Sequence, residues 1–249
     1  MIRGLGMTPI LSYITGAVLA LLGLRLVWQA VSLGKLAEGL LGVFLIASGG
    51  GMGVALFGIH QHLGGDTSAF DIFTRWGMFF LTLGMVANAE FVRRSFRPDD
   101  AWAKVLVLLL SVALFAGWYR VVFTTSYGYV TEPHPAAFGP RLAVYLWGIF
   151  ESFRTFRTHK KRMALGLADP VVVNRFLLFV TWNLLLIAAP ASNAVLRTTN
   201  PDAVAALYKV FPIVIGSLLA VVTVLIFFPP NAYLDWVGKG YKSELEGEA

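Results

Sequence analysis

The 249-residue chain is 57% hydrophobic and only 14% charged, with a formal net charge of +6 and no cysteine. Soluble domains carry about 25% charged residues, so this composition predicts an integral membrane protein. The missing cysteines exclude disulfides, thiolate metal sites and cysteine nucleophiles. The positive charge does not require nucleic acid, because basic residues of membrane proteins gather on the cytoplasmic side.

About twenty largely apolar residues cross a bilayer core, and seven such stretches follow one another. Residues 9–31 form the first, with Pro9 suited to a first helical turn. The run is long enough to span, and no cleavable signal is evident ahead of it. Residues 39–59 form the second and contain Ser48-Gly49-Gly50-Gly51-Met52-Gly53. Gly49 and Gly53 have the small-xxx-small spacing that lets helices approach closely in lipid. No Gly-Lys-Ser/Thr follows, so the glycines do not make a phosphate loop. A loop from His60 to Ala69 holds His60, His62 and Asp66.

The third span, residues 69–92, carries Arg75 near its start and Asn88 and Glu90 near its end, then Arg93, Arg94 and Arg97. Pro98-Asp99-Asp100 breaks the chain and supplies a cap for the fourth span, residues 101–123. The longest loop, Thr124 to Ala137, precedes the fifth span, residues 138–158, which carries Arg141 and Glu151. A basic run from Arg154 to Arg162 follows, reading as an anchor on anionic lipid or a dock for an acidic cytoplasmic partner. Asp169-Pro170 opens the sixth span, residues 170–196, and residues 202–228, with Lys209, form the seventh. Residues 231–249 read as a short amphipathic cytoplasmic tail, with Tyr233 and Trp236 at headgroup level.

Placing the loop between the second and third spans outside puts fourteen of the twenty lysines and arginines on the inner side. That bias predicts an external N-terminus and a cytoplasmic C-terminus. The expected fold is all-α: one seven-helix transmembrane bundle over residues 1–249.

Three segments, FVRRSFRPDDAW (91–102), KKRMALGLADPVVVNRFLL (160–178) and FFPPNAYLDWV (227–237), resemble stretches of a family of uncharacterised bacterial seven-helix membrane proteins. The resemblance implies a bacterial inner-membrane protein and no particular activity. The topology is also similar to that of microbial rhodopsins and G-protein-coupled receptors, an analogy of fold and not of function.

Ionisable groups inside spans are costly and mark candidate sites. Arg75, Arg120, Arg141 and Lys209 lie near the outer ends of four spans. If turned inward, they would form a cationic vestibule for a carboxylate, phosphate or lipid headgroup. If turned outward, each snorkels to the interface or pairs with a nearby aspartate. Near the inner ends, Arg25, Glu90, Glu151 and Arg175 suggest an ion-pair network between helices, either structural or a switch. Asn88 and Asn183 are expected to bond across helices.

Lys209 lies too near its helix start for a retinal attachment site, and no cofactor is implied. His60, His62 and His134 are weak metal candidates, since H-x-H in a loop is an unspecific signal. HExxH and GxSxG are both absent, so an enzyme is not expected. The leading expectation is a sensor or receptor-like protein that binds a small anionic or lipidic ligand from the outer side. Its partners would be membrane lipids and a cytoplasmic or membrane protein. The alternatives are a non-catalytic structural subunit that docks in a membrane complex through the glycine-rich second span, or an intramembrane enzyme or transporter.

Overall fold

The computed structural model describes residues 8–63, 67–124, 135–199 and 201–247, some side chains near helix ends excepted. Among them are eight helices and no strand. They are α1 (Thr8–Leu33), α2 (Leu36–Leu63), α3 (Thr67–Phe96), α4 (Ala101–Thr124), α5 (Pro135–Ala164), α6 (Pro170–Thr199), α7 (Pro201–Phe227) and α8 (Asn231–Gly247).

Local signals set several of these ends. Gly34 and Gly166 take φ of 67° and 69°, the left-handed cap that glycine adopts without strain. Behind them, the Lys35 N–H returns to the Ala30 carbonyl and the Leu167 N–H to the Arg162 carbonyl, both at 2.9 Å. Asp169 Oδ1 accepts from the Val171 N–H at 2.8 Å and caps α6 ahead of Pro170.

Two helices extend further than the apolar pattern alone requires. α2 runs through His60 and His62 to Leu63, so those histidines belong to a helix end and not to a loop. Nothing from 60 to 63 breaks a helix. α5 runs through the basic segment to Ala164, because lysine and arginine are good helix formers.

Each helix from α1 to α7 packs on its sequence neighbour, α7 returns to α1, and α3 also touches α5. The result is a closed ring with α3 drawn inward. Glycines hold its first half together at backbone distance. A Cβ on Gly49 would lie 2.3 Å from the Gly16 carbonyl oxygen, and one on Gly51 would lie 2.8 Å from that of Gly77. At the closing seam, Thr15 of α1 sits against Gly216 of α7. The core is apolar and includes Leu26, Leu41, Phe44, Met85, Val92, Val144, Trp182 and Ile226.

The outside is apolar too: Leu21, Trp28, Val31, Leu108, Phe150 and Val221 are all exposed. In water such a surface would aggregate; in lipid it is the ordinary exterior. Four helices are long and apolar enough to cross a membrane, or five if the bent α7–α8 pair counts as one span. The chain is therefore a multi-pass membrane protein. α8 leaves α7 at a 76° bend after Pro229-Pro230. It is tied back to α6 by a hydrogen bond from Asn174 Nδ2 to Tyr233 Oη, with Val237 buried beneath it.

Candidate functional site

The densest polar structure lies where α3 ends. Glu90, Arg93 and Arg94 fall at three- and four-residue spacing, which puts them on one helix face. Arg93 Nη2 and Nε grip the two Glu90 oxygens at 2.6 and 2.7 Å, and Arg94 Nε reaches Oε1 at 2.6 Å. Arg93 also donates to the Pro98 carbonyl at 2.9 Å, so one buried guanidinium pins the turn that follows the helix. The hydrogen bond to Glu90 raises the pKa of Arg93 above its ordinary value, against the opposing effect of burial.

Arg97 is the second node and joins different parts of the chain. Its Nε donates to Glu151 Oε1 of α5 at 2.8 Å, and its Nη1 donates to Asp100 Oδ2 at 3.1 Å. Its guanidinium carbon lies 5.4 Å from the Trp102 ring centroid. Glu151 is only 2% exposed, and its other oxygen is 3.8 Å from Arg154 Nη1. A carboxylate taken this far from water is held in place by its cations. Arg97 thereby couples the end of α3, the start of α4 and the middle of α5.

This differs from the network expected among Arg25, Glu90, Glu151 and Arg175. Glu90 and Glu151 are both engaged, but by Arg93, Arg94, Arg97 and Arg154. Arg25 is exposed, with its guanidinium 4.0 Å from the Phe228 ring centroid, and Arg175 is exposed on α6. The physical reason is proximity. Each carboxylate has an arginine within one turn or at the nearby end of α3, and Arg25 and Arg175 keep contact with solvent or headgroups. In the sequence, Arg93 and Arg97 stand out only as positive-inside charge. The spacing from Glu90 to Arg93 was a usable signal, but nothing local pointed from Arg97 to Glu151, 54 residues away.

The two asparagines also differ from expectation. Asn183 Nδ2 donates to the Phe179 carbonyl of its own helix at 2.8 Å. Asn88 is completely buried, and neither amide atom has a hydrogen-bond partner.

At the opposite end, Arg75 turns towards α4. Its guanidinium lies 5.2 Å from the Phe123 ring centroid, and its backbone carbonyl accepts from Trp118 Nε1 at 3.4 Å. Arg120 is exposed on α4, and Arg141 is half-buried on α5, one turn before buried Tyr145. The Lys209 side chain lies outside the described residues. So do the side chains of His60 and His62 and all of His134. Among the described residues, no group of three His, Asp or Glu side chains could hold a metal ion.

Fold and site together define an all-helical, multi-pass membrane protein with two arginine–carboxylate nodes at one end of its bundle. Comparison with protein-family models, curated proteins and solved structures finds no match to this chain.

Proposed function

We propose that this is a seven-span sensor or receptor-like protein. A small anionic or lipidic ligand at its Arg75 end shifts α3 against α5, and the shift reaches the cytoplasm through the Arg97–Glu151 pair. The observation that carries this reading is that α3 and α5 each run unbroken for 30 residues, about 45 Å at 1.5 Å per residue. Each has an arginine near its N-terminal end, Arg75 or Arg141, and the buried ion pair joins Arg97, just past the end of α3, to Glu151 in the middle of α5. Displacing one rigid helix at its first end therefore strains the pair further along it.

Seven spans and a cytoplasmic C-terminus are part of the same proposal. α3 and α5 are more polar than the four strongest candidates, but both pack within the ring between them. The fourteen basic residues on the Arg97 side support the orientation, and the resemblance of three segments supports a bacterial inner membrane. The structural-subunit alternative rests on the glycines of α2 as a docking stripe, and Gly49 and Gly51 are already occupied by α1 and α3.

The absence of cysteine allows a direct test. Spin labels on Ser95→Cys and Thr158→Cys, both exposed positions on α3 and α5, report the separation of the two helices. In nanodiscs, the distance should change when phosphatidylglycerol replaces phosphatidylcholine or when inorganic phosphate is added, and Arg75→Ala should abolish the change. A distance unmoved by either probe favours the structural-subunit reading.

A further inference from the structure

Two buried asparagines, Asn88 of α3 and Asn183 of α6, stand at one level of the bundle with polar atoms that nothing satisfies. The level follows from aromatic contacts between α3 and α6. Phe96 meets Phe176 and Phe91 meets Phe179, with ring centroids 6.2 and 5.6 Å apart, so the two helices run antiparallel. Asn88 lies three residues before Phe91, and Asn183 lies four residues after Phe179. Both steps lead the same way along the bundle, by about 4.5 and 6 Å at 1.5 Å per residue. On α5, Gly148 faces Asn183 so closely that a Cβ there would be 2.8 Å from Asn183 Oδ1. Ser152 follows one turn later on the same face of α5, about 6 Å further towards the Phe91 level.

Each of these side chains is almost fully buried, and each keeps an open hydrogen-bonding atom. Asn88 Oδ1 and Nδ2, Asn183 Oδ1 and Ser152 Oγ all lack a partner. A buried polar group left unpaired is destabilising, and the three open atoms of Asn88 and Asn183 weigh on a bundle that could carry leucine there instead. Buried polar groups in proteins are normally satisfied by protein or by bound water.

We infer that this level is a binding site for a small neutral hydrogen-bonding guest, a water molecule or a small amide or alcohol, held by Asn88 and Asn183. The open atoms define the guest. Asn88 both donates and accepts, while Asn183 offers its open Oδ1 as an acceptor and has given one Nδ2 hydrogen to Phe179. The guest must therefore carry at least one donor and one acceptor. A charged guest fits poorly. The carboxylates near it in sequence are already neutralised, Glu90 by Arg93 and Arg94 and Glu151 by Arg97 and Arg154, and the flanking Phe91, Phe179 and Trp182 are apolar. The site is separate from the arginines proposed to sense an outer ligand, and its test requires no such ligand.

Asn88→Leu, Asn183→Leu and the double variant, made in the full chain and melted in detergent, read the site through the sign of the change. With a shared guest, each single variant lowers Tm by about 2–4 °C. The double variant then loses less than the sum, because the guest leaves only once. A cryo-electron microscopy map of the unaltered protein shows density bridging the two amides, which also decides the matter if a variant fails to fold. Native mass spectrometry separates the sources. An adduct that disappears in Asn88→Leu identifies an organic guest, and no adduct alongside bridging density identifies water. Single variants that melt at the same or higher temperature, an additive double, or a map with the two amides bonded directly to each other would overturn the proposal.

Discussion

Arg97 Nε and Glu151 Oε1 lie 2.8 Å apart, joining the last residues of the α3 segment to the middle of α5. The partners are unequally buried: the Glu151 side chain is 3% exposed and that of Arg97 20%. Losing the arginine therefore strands a carboxylate away from water, and losing the glutamate leaves a guanidinium that can still reach Asp100 and solvent.

Arg97→Gln is accordingly expected to cost more than Glu151→Gln. Removing one partner of a buried pair typically costs about 3–5 kcal/mol, and Arg154 should hold Arg97→Gln to the lower part of that range. Thermal unfolding in detergent measures both, and a smaller loss for Arg97→Gln would contradict the burial argument. The exchange Arg97→Glu with Glu151→Arg should recover part of the loss.

Arg93 and Arg94 touch the same carboxylate but should behave differently. Arg93 is buried and also holds the Pro98 carbonyl, so Arg93→Ala removes charged hydrogen bonds worth about 1.5–3 kcal/mol each. The Arg94 side chain is 40% exposed, and an ion pair of that kind contributes about 0–1 kcal/mol. Comparable losses for the two alanine variants would show that Arg93 is not the buried node.

The glycines of α2 divide into two groups. A methyl group at Gly49 meets the Gly16 backbone, so Gly49→Ala must push α1 and α2 apart, and overpacking of that kind costs about 1–3 kcal/mol. Gly50 and Gly53 have nothing within 4 Å of a Cβ. There, alanine should be neutral or stabilise by up to about 1 kcal/mol through helix propensity. Melting curves showing a loss at Gly53 as large as that at Gly49 would place a neighbour against that face.

Orientation has a simple readout. A reporter that fluoresces only in the cytoplasm should work when fused at the C-terminus and fail when inserted at residues 64–66, between α2 and α3. The opposite pattern would invert the proposed topology, although the packing described above would be unchanged.

α8 is expected to lie along the membrane surface. Trp236 is 71% exposed next to Tyr233, on a helix that turns 76° from α7, and amphipathic helices of this kind settle at the headgroup level. An environment-sensitive fluorophore on Trp236→Cys should shift to the blue on reconstitution into vesicles and be quenched by brominated lipids. Emission like that in water would place α8 off the membrane.

Much of this protein follows from local sequence. Runs of apolar residues fix where long helices form, since a backbone in lipid must satisfy its own hydrogen bonds. Gly34, Asp169-Pro170 and Gly166 end or begin helices through short-range geometry, which is why these boundaries can be read one residue at a time. The burial of Asn88 and the pairing of Arg97 with Glu151 were not legible in this way. Both depend on which helix faces which, set by backbone contacts such as Gly16 on Gly49 and Thr15 on Gly216. Sequence placed Arg25, Glu90, Glu151 and Arg175 at similar depth, but depth is one coordinate and an ion pair needs three. The rotation of each helix about its axis turned Glu151 towards Arg97 and left Arg25 and Arg175 exposed, and only tertiary packing sets that rotation.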